Sequence, residues 1–123
     1  MQMQYIDTPI DARTVSLSGE FDAHGCQQIR PQLESIADDI SAGELYMDLR
    51  DVSFIDSSGV GAIVYLFKRL KARDCRLSLI NVHRQPRELL ENLRVHEAIN
   101  VQWLQAGLSH EPSPLLGAQD QAV

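Results

Sequence analysis

Apolar and polar residues alternate most cleanly over residues 44–50, where Leu45, Met47 and Leu49 are separated by Tyr46, Asp48 and Arg50. A period of two predicts a strand with one buried face. The same period runs over residues 14–18, with Val15 and Leu17 set between Thr14, Ser16 and Ser18, and Gly19 is expected to end it. Residues 2–10 mix Tyr5, Ile6 and Thr8 with polar side chains and read as a first strand at a sheet edge. Asp11, Ala12 and Arg13 form the turn that follows. Cys75–Val82 carries Leu77, Leu79, Ile80 and Val82, the apolar density of an interior strand. Residues 101–104 give a short last strand.

Between these segments the period changes. Ile29, Leu33, Ile36, Ala37 and Ile40 recur at spacings of three and four, which predicts an amphipathic helix ending at Ala42 and Gly43. Pro31 interrupts it, because an internal proline removes a hydrogen bond and clashes one turn back. The helix either begins close to Pro31 or has an irregular first turn from about His24. Residues 59–72 are helical again, with Val60, Ile63, Val64, Phe67 and Leu70 on one face. Arg73 and Asp74 mark a turn. Pro86 suits the first turn of a third helix that holds Leu89, Leu90 and Leu93. The order β-β-α-β-α-β-α-β implies right-handed crossovers. The expected fold is single-domain α/β, a mixed sheet, mostly parallel with an antiparallel edge strand, flanked by helices.

The chain has 123 residues, 44% hydrophobic and 23% charged, enough for one real core. After about residue 104 the periodicity fades, and Gly107, Pro112, Pro114 and Gly117 follow. A domain over residues 1–104 and a flexible tail over 105–123 are expected. The net charge of −6 repels phosphate backbones and anionic lipid, so nucleic acid and membrane surfaces are poor partners. The basic cluster from Lys68 to Arg76 reads as a solvated helix face. Cys26 and Cys75 lack metal or disulfide spacing, and the first residues lack the regions of a signal peptide. No apolar run reaches the roughly 20 residues that span a bilayer. A cytoplasmic location is expected.

No catalytic constellation emerges. The four histidines, His24, His83, His96 and His110, form no metal-binding pair, and neither a nucleophile elbow nor a phosphate-cradling Gly-rich loop is present. The expectation is a protein that is not an enzyme and needs no metal or cofactor.

The segment Asp56-Ser57-Ser58-Gly59-Val60-Gly61 stands out, because it joins an alternating strand to an apolar helix. Backbone N–H groups and the positive end of the helix dipole collect there, a natural seat for an anion. A serine in that position is within another enzyme's reach, and phosphorylation would add about −1.5 to −2 charges. Gly59 and Gly61 keep bulky side chains away, which suits close approach by a partner. The same residues also make an ordinary N-cap, in which Ser57 or Ser58 caps the helix. Both can hold at once, with one serine capping and its neighbour modified.

From Asp51 to Gly61 the sequence Asp-Val-Ser-Phe-Ile-Asp-Ser-Ser-Gly-Val-Gly resembles the signature of the STAS domain, in the branch of bacterial anti-sigma-factor antagonists. Leu17-Ser-Gly-Glu-Phe-Asp22 resembles the family's second strand and turn. Asn81 at the end of the fourth strand and the helix from Arg87 to Leu93 agree with it. The resemblance runs from about residue 3 to 104. Pro31 and Gly25 depart from the pattern, in the first helix.

The resemblance implies a phosphorylation-gated protein-binding switch. The hydroxyl residue after the motif aspartate, here Ser57 with Ser58 as second candidate, would be phosphorylated by a partner kinase. That kinase is often an anti-sigma factor with a histidine-kinase-like ATPase fold. The unmodified form would bind it, the phosphorylated form would be released, and a Ser/Thr phosphatase of the PP2C type would reset the switch. Asp22, Asp56, Ser58, Gly59 and Gly61 would line the site, and the protein would be monomeric when free. Two alternatives accompany this reading: a stand-alone STAS regulator of biofilm formation, secretion or motility, and a nucleotide-binding STAS module.

Overall fold

The structure, a computed structural model, describes residues 1–7, 12–40 and 43–105. Five strands form one sheet in the order β1-β2-β3-β4-β5, namely β1 (Gln2–Asp7), β2 (Ala12–Phe21), β3 (Gly43–Ile55), β4 (Cys75–Val82) and β5 (Asn100–Trp103). β1 pairs antiparallel with β2, and the other three pairings are parallel. The helices are α1 (Ala23–Asp39), α2 (Ser57–Lys71) and α3 (Arg84–Asn92), with a 3-10 turn at Val95–Glu97 that the sequence pattern did not announce. The mixed α/β fold with an antiparallel edge strand is as expected.

Register explains the core. Val15, Met47 and Leu79 lie side by side across β2, β3 and β4, and none is exposed. Leu17, Leu45, Leu49 and Leu77 join them in one cluster with Ile29, Leu33 and Ile36 of α1 and Ile63, Leu66 and Leu70 of α2. α1 and α2 pack against each other, while α3 packs on β3. The opposite pleat carries polar groups. Among the described residues the buried polar side chain is Ser78, whose hydroxyl donates to Glu44 and accepts from Asn100 Nδ2 at 3.0 Å. Its burial is therefore hydrogen-bonded.

Several boundaries differ from the sequence pattern, each for a physical reason. β3 continues to Ile55 rather than ending near Arg50. The ladder with β2 steps from Ser16↔Asp48 to Ser18↔Asp51 and from Gly19↔Val52 to Glu20↔Phe54, so β3 carries an extra residue at two bulges. Each bulge shifts the pleat by one, and past Leu49 the buried positions become Val52 and Ile55. Gly19 does not end β2 but lies within it at φ 105°, a conformation open to glycine, and the strand runs on to Phe21.

α1 begins at Ala23 and passes through Pro31. Pro31 and Gln27 are both exposed, so the carbonyl deprived of its N–H partner faces water. α1 ends at Asp39, Gly43 opens β3, and residues 41 and 42 lie outside the described residues. β1 ends at Asp7, and residues 8–11 of the expected first strand and turn also lie outside them, as do residues 106–123 of the expected tail. Ala12 and Arg13, expected in the turn, instead open β2, where Arg13 pairs with Asp7. α2 starts at Ser57, two residues before its expected start, and ends at Lys71, with Lys68, Arg69 and Lys71 in its last turn. The basic cluster thereby sits at the negative end of that helix dipole. β5 is shifted by one residue, to Asn100–Trp103.

Candidate functional site

Because Phe21 pairs with Ile55, β2 and β3 end side by side, and each is followed at once by an aspartate that caps a helix. Asp22 Oδ1 accepts from the Gly25 amide at 2.8 Å at the start of α1. Asp56 Oδ1 accepts from the Ser58 and Gly59 amides at 2.9 and 3.2 Å at the start of α2. The cap of α2 is thus Asp56, and neither Ser57 nor Ser58 serves as one; a carboxylate on two N–H groups at the dipole's positive end is the stronger choice.

The two junctions repeat one local design, Asp22-Ala23-His24-Gly25 and Asp56-Ser57-Ser58-Gly59. Both glycines are buried where a strand carbonyl passes close. A Cβ on Gly25 would lie 2.2 Å from Glu20 O, and one on Gly59 would lie 2.3 Å from Phe21 O. Gly25, which departs from the family pattern, is therefore the counterpart of Gly59 and needed for packing. Gly59 likewise makes room inside the domain rather than for a partner, while Gly61 has open space around it. Ala23 occupies the place of Ser57, so hydroxyls stand at one of the two junctions only.

The two serines differ in what they face. Ser57 is exposed in the first turn of α2. Ser58 is half-buried and lines a groove of about 410 Å³ between α1 and α2, together with Cys26, Arg30, Gly61, Tyr65 and Leu66. Asp22, Asp56, Ser57, Ser58 and Gly59 are thus brought to one end of the sheet, with Gly61 one turn further along α2.

Cys26 was not foreseen there, since a lone cysteine carries no sequence signal. Burial pushes its thiol above the ordinary 9.0, the Asp56 and Asp22 carboxylates push it further, and Arg30 opposes them. A raised thiol pKa favours the folded state below about the ordinary value and loses that contribution as pH rises beyond it. We expect Cys26 to react with Ellman's reagent more slowly than free cysteine between roughly pH 8 and 9.5, because less thiolate is present. A pH–rate profile at or above that of free cysteine would contradict this placement.

Gln85 is a second unforeseen residue. Its side chain accepts from the Ile55 amide at 2.8 Å and donates to the Ile55 carbonyl at 2.9 Å, immediately before Asp56. The contact spans 30 positions of sequence, so no local pattern could reveal it.

The family model described as "STAS domain" matches residues 5–108. The chain belongs to the STAS domain family. Its relatives include the anti-sigma-B factor antagonist of Bacillus subtilis (strain 168), 29% identical over 87 residues, which is 71% of this chain and 78% of the relative. Solved structures share the fold, and two of them illustrate it. An anti-sigma-factor antagonist (STAS) domain protein from Planctomyces limnophilus has a TM-score of 0.75 at 17% identity, covering 84% of this chain and 91% of that one. The Bacillus cell fate determinant SpoIIAA, in its phosphorylated form, has a TM-score of 0.62 at 22% identity, covering 81% and 90%.

Among the described residues no group of three or more His, Cys, Asp or Glu side chains is placed to hold a metal. No helix among them is long and apolar enough to cross a membrane.

Proposed function

We propose that this STAS domain is a phosphorylation-gated protein-binding switch with Ser57 as its regulated residue. The observation that carries the reading is the split between the two serines. Ser57 is exposed directly after the capping Asp56, whereas Ser58 turns toward the α1–α2 groove. An acceptor must reach into a kinase's active site, and a first-turn side chain on an already capped helix can do so without opening the fold. Kinship to an anti-sigma-B factor antagonist and likeness to a fold solved in a phosphorylated form support the same direction.

On this reading the unmodified domain, residues 1–104, binds an anti-sigma factor that is also its serine kinase, of the histidine-kinase-like ATPase fold. Phosphorylation of Ser57 releases it, and a PP2C-type phosphatase restores binding. The domain works in the cytoplasm as a monomer when free, and supplies a surface and an acceptor but no catalysis. Asp22, Asp56, Ser58 and Gly61 shape that surface, and Gly59, buried beneath it, lets α2 approach the sheet.

The test is peptide-level mass spectrometry of the protein from its native cells, beside a Ser57→Ala variant expressed there. One phosphate on Ser57, varying with growth conditions and lost in a folded Ser57→Ala, is the expected result. A phosphate that persists in Ser57→Ala and maps to Ser58 would move the acceptor. An unmodified chain under all conditions would remove the switch.

A further inference from the structure

The ladder between β3 and β4 stops at Asp48↔Ile80, while β3 continues to Ile55 with β2 on its other side. The last seven residues of β3, leading straight into the acceptor turn, therefore have a strand on one flank only. What lies along the other flank is the stretch from the end of β4 through the N-cap His83 into the first turn of α3. Three alternate residues of it reach across. Asn81 Nδ2 donates to Asp48 Oδ1 at 3.1 Å, and His83 Nε2 donates to the Arg50 carbonyl at 2.7 Å. Gln85 takes both the N–H and the C=O of Ile55. His83 and Gln85 thus meet backbone groups of β3 that a neighbouring strand would otherwise pair, whereas Asn81 meets the side chain of Asp48, the last residue of the ladder.

Gln85 contributes most, because its amide reproduces the donor–acceptor pair that a neighbouring strand would offer. Ile55 is then held from both sides, by its pairing with Phe21 and by Gln85. The next residue, Asp56, donates its amide to Phe21 O at 3.4 Å and caps α2. The same stretch holds two left-handed residues that are not glycine, Asn81 at φ 57° and Arg84 at φ 58°. Such conformations persist where surrounding bonds over-determine the backbone, as they do on either side of Arg84.

We propose that Gln85 is the positioning residue of the acceptor turn: it fixes Ile55 so that Asp56 keeps its cap and Ser57 keeps one place. This rests on Ser57 being the acceptor. In the transfer the Ser57 oxygen bonds to the γ-phosphorus of ATP, the bridging P–O bond to ADP breaks, and the serine proton passes to a base of the kinase. Such a transfer depends steeply on where the oxygen sits, and misplacement by about 1 Å can cost a hundredfold.

The test compares Gln85→Met, Gln85→Glu and Ser78→Ala with the parent chain. Methionine keeps the size of the stem but neither bond; glutamate can accept from the Ile55 amide yet cannot donate to its carbonyl when ionised. Ser78→Ala loses buried hydrogen bonds at the other end of the sheet and serves as a control for lowered stability. One readout is amide hydrogen exchange at Ile55, Ser57 and Ser58 by NMR. The other is the rate of label entering the Ser57 peptide from γ-labelled ATP with native-cell lysate as kinase source, over a range of substrate concentrations.

Gln85→Met is expected to exchange faster at all three amides and to lower the maximal labelling rate about tenfold with half-saturation nearly unchanged. Gln85→Glu should fall between, and Ser78→Ala should leave both readouts near the parent's. Unchanged exchange in Gln85→Met, or a loss of labelling equally large in Ser78→Ala, would overturn the proposal. A parent chain that takes no label at Ser57 would instead overturn the acceptor assignment, and the exchange readout would then decide by itself whether Gln85 fixes the turn.

Discussion

Gly59→Ala is expected to destabilise the domain by about 3 kcal/mol, lowering its melting temperature by roughly 10–15 °C. A methyl group there would meet Phe21 O at 2.3 Å, Ile55 Cγ1 at 2.7 Å and Phe21 Cγ at 3.0 Å. The first of these atoms is backbone, in a strand tied to β3 and accepting from the Asp56 amide, so it cannot swing aside as a side-chain end could. Alanine's better helix propensity returns about 1 kcal/mol, too little to offset a contact well inside van der Waals distance. If the domain relaxes by lifting α2 from the sheet, the acceptor turn moves with it, and partner binding should fall together with stability. Gly61→Ala is the internal comparison. Nothing lies within 4 Å of its Cβ, so the propensity gain stands alone and stability should hold or rise by up to about 1 kcal/mol. Thermal unfolding followed by circular dichroism checks both. Equal stability of the two variants would mean that the close approach of α2 to Phe21 is not as described.

The difference between these two glycines is invisible in the sequence, where they stand two residues apart in one small-residue run. What the sequence does carry is periodicity. Alternation located the middle of β2 and the first half of β3, and apolar density located β4. The three-four spacing located the three helices, although Leu93 of the third is exposed and Leu66 of the second joins the core unannounced. Alternation fails where a strand bulges, which is why β3 seemed to end at Arg50 although the ladder to β2 continues to Ile55. Gly19 and Pro31 misled for a related reason: propensity is local, but a bulge tolerates the first and an exposed helix face the second. At the site, the motif was legible as a helix start with reachable hydroxyls. That Asp56 rather than a serine would cap it, and that Asp22 would stand at a twin junction beside it, follow from Phe21 pairing with Ile55. Gln85 lies a further step away, since its role exists only because β4 departs from β3 before the motif is reached.

Phosphorylation of Ser57 is expected to weaken binding of the proposed anti-sigma-factor partner by at least about a hundredfold, with the domain remaining folded. Ser57 is exposed and Asp56 already satisfies the amides of Ser58 and Gly59, so a phosphate can point to water without displacing an internal bond. In the free domain the opposing effects are small. The dipole of α2 favours the new charge by about 0.3–1 kcal/mol, and Asp56 and Asp22 repel it through water. The cost arises when a partner covers the turn. A charge removed from water without a counter-charge costs about 3–5 kcal/mol, and each 1.4 kcal/mol is tenfold in the dissociation constant. Burial therefore outweighs the dipole, and the effect falls on the complex rather than the fold. Ser57→Asp should show a smaller loss, since one carboxylate carries less charge than the phosphate's −1.5 to −2. Titration calorimetry of the two forms against the partner, at low and high salt, separates the contributions. A penalty from long-range repulsion shrinks as salt screens it, whereas a penalty from desolvation persists. Equal affinities of both forms would leave the exposed serine without a gating role. A penalty that vanishes at high salt would place the phosphate at the rim of the interface rather than beneath the partner.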